Sequence, residues 1–165
     1  MNQQDEEDLA DKLCNLSKEE WDKVVELMSQ RFRSFAPKPL PSADQIDNYQ
    51  GVYLIYDETG KNLLYVGETG NLKKRRGDLY RTVNHTFRRH FGNAKYGKRN
   101  QHIADSKSKY DEKTELDLTA AIGKLQAVFV PIGIGRTEIE EHIIAQEKDK
   151  GSDSQLYNIR KKRKG

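Results

Sequence analysis

The sequence predicts a mixed α/β (α+β) domain: a small three-stranded, mainly antiparallel sheet flanked by helices, with a helical extension at the N-terminus. Three observations predict it. Residues 51–67 hold two short apolar runs rich in β-branched and aromatic residues, joined by the polar turn Asp57-Glu58-Thr59-Gly60, which reads as a β-hairpin. Leu125-Gln126-Ala127-Val128-Phe129-Val130 reads as a third strand. Apolar residues at helical spacing lie before the hairpin, between the strands and after the third strand.

Residues 1–35 read as helical. Ser17-Lys18-Glu19-Glu20 has the form of a capping box, with Ser17 as N-cap and Glu20 at N3. Trp21, Val24, Val25, Met28, Phe32 and Phe35 then form one apolar stripe. That stripe must be covered, by the sheet or by a second subunit. Pro37, Pro39 and Pro41 end the helix and form a stiff linker. The chain thus divides into an extension and linker over 1–48 and a domain over 49–165. Within the domain a helix is expected from Asn71 to Tyr80 and a shorter one over Thr86–Phe91. Residues 92–115, rich in Gly, Asn, Lys and Ser, read as a basic loop. Pro131-Ile132-Gly133-Ile134-Gly135 reads as a turn, and the last helix runs from Arg136 to Lys150.

The 165 residues are 35% hydrophobic and 33% charged, so a small core and a large polar surface are expected. The single cysteine, Cys14, excludes a disulfide framework and a cysteine-based zinc site. It sits among leucines and reads as a buried thiol. No stretch approaches the ~20 apolar residues of a membrane span, and the acidic start lacks a signal-peptide core. A soluble cytoplasmic protein with no membrane partner is expected.

The net charge of +3 conceals a strong segregation. Residues 1–31 carry nine acidic and four basic side chains. Residues 73–109 carry twelve basic and two acidic ones, and Arg160-Lys161-Lys162-Arg163-Lys164 adds five positive charges. Such a block repels itself unless an anion is its usual neighbour, and nucleic acid is the commonest such anion. The alternative is a solvated basic face. The residues expected to touch a nucleic acid are Lys73, Lys74, Arg76, Arg81, Arg88, Arg89, Lys95, Lys98 and Arg99.

Two phenols, Tyr53 and Tyr65, stand on the hairpin, and Arg75 follows in a basic helical pattern. Together they can form a site for attack on a phosphodiester. Packing within the sheet is the other role open to the tyrosines. In the last helix, at about 100° per residue, Glu140 falls between Ile139, Ile143 and Ile144, while Glu138 and Glu141 face away. Glu140 is therefore the carboxylate aimed at the core. It must be matched by a cation, a donor or a shifted pKa, and a divalent metal would serve. A capping box with Thr137 is the alternative. Glu147 shares the face two turns on and is the weaker candidate. His90 and His102 lack partners at zinc-ligand spacing, and Gly67-Glu68-Thr69-Gly70 lacks the pattern of a nucleotide-binding loop.

The ordered set Gly51-Val52-Tyr53, Tyr65-Val66-Gly67, Arg75, Glu140 and Tyr157-Asn158 resembles the GIY-YIG nuclease superfamily over roughly residues 51–158. Arg75 lies eight residues after Gly67 within Asn71-Leu72-Lys73-Lys74-Arg75, and Glu140-Glu141-His142-Ile143-Ile144 is similar to the family's Glu-x-x-Leu-Ile context. The resemblance implies a small GIY-YIG-type core and a metal-dependent endonuclease acting on duplex DNA. It implies Glu140 as ligand of Mg²⁺ (or Mn²⁺), Arg75 as phosphate clamp and Tyr53 as general base. Tyr65 would orient water or phosphate, with Gly67 and Asn158 in support. His85 stands where several members place a histidine that assists proton transfer; it is also open to reading as a surface histidine. Leu64 replaces a lysine found in some relatives before the second tyrosine, and Glu68 replaces a basic or small residue. A non-catalytic DNA-binding module on the same fold and an RNA-directed nuclease are the rival expectations. A single-site nuclease must pair or rebind to cut both strands, so a homodimer is also open.

Overall fold

The computed structural model describes residues 12, 15–97, 107–151 and 155–158. Cys14, Lys98, Arg99, His102, the basic tail 160–164 and the first eleven residues of the stretch 1–35 expected to be helical lie outside them.

Helix α1, Lys18–Arg33, starts at the expected capping box: the Glu20 backbone N–H donates to Ser17 Oγ at 3.2 Å, and the Ser17 N–H donates to Glu20 Oε2 at 2.8 Å. Its apolar stripe lies against the last helix and one face of the sheet, so the stripe is covered within the chain.

The sheet is antiparallel, as expected, but has four strands: β1 (Lys38–Pro39), β2 (Gly51–Tyr56), β3 (Leu63–Thr69) and β4 (Gln126–Pro131), in the order β1-β4-β2-β3. The extra strand lies in the proline-rich linker. Pro39 cannot donate a hydrogen bond, which confines such a strand to an edge, and β1 is an edge. β2 is central and wholly buried. Its side chains alternate between two cores, as the two-residue period of a strand requires. Val52, Leu54 and Tyr56 meet α1 and the last helix; Tyr53 and Ile55 meet the helices of the opposite layer. Gly51 is needed where the layers close: a Cβ there would lie 2.2 Å from the Val130 carbonyl oxygen and 2.7 Å from Leu72 Cδ1.

Three helices form the second layer: α2 (Leu72–Asp78), α3 (Thr86–Tyr96) and α4 (Glu112–Gly123). The loop expected over 92–115 is thus corrected at both ends. α3 runs five residues past Phe91. α4 begins at Glu112, where Asp111 caps it by accepting the Thr114 N–H at 3.0 Å, and it buries Leu118, Ala121 and Ile122. Helix α5, Arg136–Lys148, returns on the α1 side, burying Ile139, Ile143 and Ile144. No helix among the described residues is long and apolar enough to cross a membrane.

Candidate active site

Tyr53 projects from the middle of β2 with 2% of its surface exposed. Gly67 is its register partner on β3, and a Cβ at Gly67 would stand 2.3 Å from the phenol oxygen. The glycine of the second tripeptide is therefore the space in which the first tripeptide's tyrosine lies. Phe129 stacks on Tyr53 from the other side, ring centres 6.0 Å apart. Tyr65, half-buried, is stacked on Tyr53 with ring centres 6.1 Å apart.

His85 completes the cluster and is buried, which removes the surface-histidine reading. Its Nε2 is 3.0 Å from Tyr53 Oη, and its Nδ1 accepts the Phe87 backbone N–H at 3.2 Å, so the imidazole caps α3. Burial, with the Arg75 and Arg89 charges adding to it, lowers its pKa to about 3. Tyr53 is pushed the other way. Burial raises its pKa well above the usual phenol value, Tyr65 and the Glu140 charge add to that, and Arg75 opposes it. The phenol therefore stays protonated near neutral pH and is a poor base as it stands.

Arg75 arrives from α2. Its Nη1 lies at the long limit of a hydrogen bond to the Asn84 carbonyl (3.5 Å) and 4.0 Å from Asp78 Oδ2. Its Nε is buried with no hydrogen-bond partner among the described residues. A planar donor fork held this loosely is open to an anion that can accept from it. Asp78 is buried and also accepts from Asn84 Nδ2 at 3.2 Å. Neither Asp78 nor Asn84 stood out in the sequence. The three-residue spacing of Arg75 and Asp78 on one helix was the signal that could have found the first.

Glu140 is buried on α5, and Glu138 and Glu141 are exposed, as the helical wheel requires. The capping-box alternative is overturned. The helix begins two residues earlier than that motif needs, with Gly135 as N-cap at φ 67°, a left-handed conformation that suits glycine, and with no capping side chain. Glu147 is also buried, but Arg33 and Lys150 pair with it near Tyr56, so it belongs to the packing of α1 on α5. No group of three or more His, Cys, Asp or Glu among the described residues could enclose a metal ion. One buried carboxylate fits a cation that keeps most of its waters and shares a substrate phosphate, the habit of Mg²⁺, and does not fit a zinc cage.

Asn158 lies at the outer edge of β3. Its Oδ1 accepts the Val66 N–H at 2.9 Å and its Nδ2 donates to the Val66 carbonyl at 2.7 Å, so its amide imitates a neighbouring strand. Tyr157 N–H donates to the Leu64 carbonyl at 2.7 Å. Asn158 thus fixes the backbone on the far side of Tyr65. Leu64 is buried in the core, where a lysine would be costly, and Glu68 is paired with Arg136 at 3.0 Å.

The basic set divides. Lys74, Arg81 and Lys95 are exposed, and Lys73 sits 3.7 Å from the exposed Asp44. Arg76 donates to the Pro41 carbonyl and lies over the Tyr80 ring; Arg89 donates to the Thr82 carbonyl. Arg88 is a correction. It is 1% exposed and reaches Thr82, Glu115 and Thr119, tying α3 to α4, so it faces no ligand. Its partner Glu115 is 27 residues away, beyond any local pattern. Replacing Arg88 with alanine strands the Glu115 carboxylate and should cost about 3 kcal/mol in chemical denaturation. The salt dependence of DNA binding should keep its slope, whereas loss of a phosphate contact would reduce the slope by about one.

No protein-family model, curated protein or solved structure matches the chain.

Proposed function

We propose that this protein is a metal-dependent endonuclease that hydrolyses phosphodiester bonds in duplex DNA, with a GIY-YIG-type core. One observation carries the reading: the Tyr53 phenol, 3.0 Å from His85 Nε2 and stacked on Tyr65, also lies within electrostatic reach of Arg75 and Glu140. Residues from β2, β3, α2, α5 and the cap of α3 thereby act on one point. Packing alone does not call for a guanidinium and a buried acid within electrostatic reach of a buried phenol pair.

Each group has a task in such a reaction. Arg75 binds the scissile phosphate through its unengaged donors and stabilises the charge that builds on the phosphoryl oxygens. The phenol pair binds and orients the attacking water. Glu140 would hold Mg²⁺ (or Mn²⁺), and that ion, when bound, supplies Lewis-acid stabilisation of the phosphate and of the leaving oxygen. Exposed Lys74, Arg81 and Lys95 hold the flanking backbone without reading sequence.

A second reading, a DNA-binding module without catalysis, is favoured by one observation: burial keeps Tyr53 protonated, and the neighbouring Leu64 supplies no amine to change that. Incubating supercoiled plasmid with the full chain and Mg²⁺ or Mn²⁺ separates the two. Nicked and linear products are expected, suppressed by chelation. Intact plasmid under conditions where the duplex is bound supports the binding module. Faster cutting of single-stranded RNA than of duplex DNA redirects the substrate assignment.

A further inference from the structure

We propose that His85 is a fixed hydrogen-bond donor that sets the direction of the Tyr53 hydroxyl, and is not a base. Its catalytic meaning rests on the nuclease reading; its geometry does not. A neutral imidazole carries one ring proton and one free lone pair. His85 Nδ1 lies 3.2 Å from the backbone N–H of Phe87, which can only donate. Nδ1 must therefore supply the lone pair, and the ring proton sits on Nε2. Nε2 is 3.0 Å from Tyr53 Oη, so donation runs from histidine to tyrosine. Tyr53 then turns its own hydrogen away from His85, on the side where the Tyr65 ring is stacked at 6.1 Å. A backbone amide at the start of α3 thus orders two side chains from separate elements, His85 and Tyr53.

The surroundings hold this arrangement. His85 is faced by Tyr53 from β2, Tyr65 from β3 and Phe87 from its own helix, and the charges acting on it are those of Arg75 and Arg89. Both are cations, and both oppose a second proton on the ring. Nε2 already carries hydrogen. To accept the Tyr53 proton, the ring would have to use Nδ1, which lies on its far side and would then meet the Phe87 N–H donor to donor. That would also uncap α3. Tyr65, the less buried of the two phenols, is the one nearer solvent, and the Tyr53 hydrogen is left to turn toward an anion formed there. His85 touches no reacting atom in this scheme; it is a positioning residue acting through Tyr53.

Two measurements test it. In ¹⁵N-labelled full-length protein, long-range ¹H–¹⁵N correlation should show His85 as the Nε2–H tautomer, unchanged between about pH 8 and pH 5, across which an ordinary histidine titrates. An Nδ1–H tautomer, or titration within that range, overturns the proposal. In the second, His85→Gln puts an N–H near the Nε2 position, while His85→Asn keeps a capping oxygen but falls short of Tyr53. Among folded variants, the glutamine form should nick plasmid at least about tenfold faster than the asparagine form, less than the roughly 10²–10⁴-fold of a group that itself transfers the proton. Equal rates, or a faster asparagine form, overturn the proposal. If the wild type cuts nothing, the nuclease reading fails, and the spectra still decide the state of His85.

Discussion

Glu140→Gln should fold, bind duplex DNA and fail to cut it. The expected loss in Mg²⁺-dependent nicking is on the order of a thousandfold or more, several kcal/mol of transition-state stabilisation. Glutamine keeps the shape of the side chain and removes the charge that a hydrated divalent ion needs. The informative control is Glu147→Gln on the same helix face. Glu147 is engaged by Arg33 and Lys150, so its loss should lower the unfolding free energy by about 1–3 kcal/mol and leave the metal dependence of cutting in place. Initial nicking rates at several Mg²⁺ concentrations, beside urea unfolding, read both. Equal cutting by the Glu140 variant and the wild type would remove the acid from the chemistry.

Arg75→Ala should lower the cutting rate on the order of a hundredfold to a thousandfold, the usual cost of removing one preorganised donor from a developing oxyanion. Arg75→Lys should recover little of it, because an ammonium cannot reproduce two parallel donors in a plane. The alanine change has a second signature. Arg75 is one of the two cations that hold His85 neutral and the charge that opposes the upward shift of Tyr53. Without it the histidine pKa rises from about 3 toward its ordinary value and the phenol moves further up. Single-turnover rates measure the first effect, and the histidine resonances across pH measure the second. Full activity in Arg75→Ala would show that the guanidinium clamps nothing.

The two tripeptides, the capping box of α1 and the inward face of α5 could be read from sequence because each depends on neighbours within about two helical turns or one strand pair. The wheel separated Glu140 from Glu138 and Glu141, and burial separates them in the same way. What could not be read depends on distant chain. Arg88 looked like its basic neighbours, and only the approach of Glu115 from another helix takes it out of the surface set. Glu147 shares the inward arc with Glu140, and its pairing with Arg33 across the helix layer is what tells the two apart. His85 read equally well as a surface residue, since its burial comes from the sheet closing over it. Two local signals were also passed over. Asp111 with Thr114 announces α4, but the lysines around them read as loop. Pro39 read as part of a stiff linker, and the edge position is what permits a strand there.

Both borders of the sheet are finished in a way that bears on how the protein behaves when concentrated. On one side β1 carries a proline and β4 ends in Pro131; on the other, the Asn158 amide occupies the Val66 backbone groups that a foreign chain would otherwise claim. Unfinished borders template fibre growth and domain exchange. Were the dense positive block to gather this protein along a polyanion, these two stoppers would oppose the turning of such crowding into polymer.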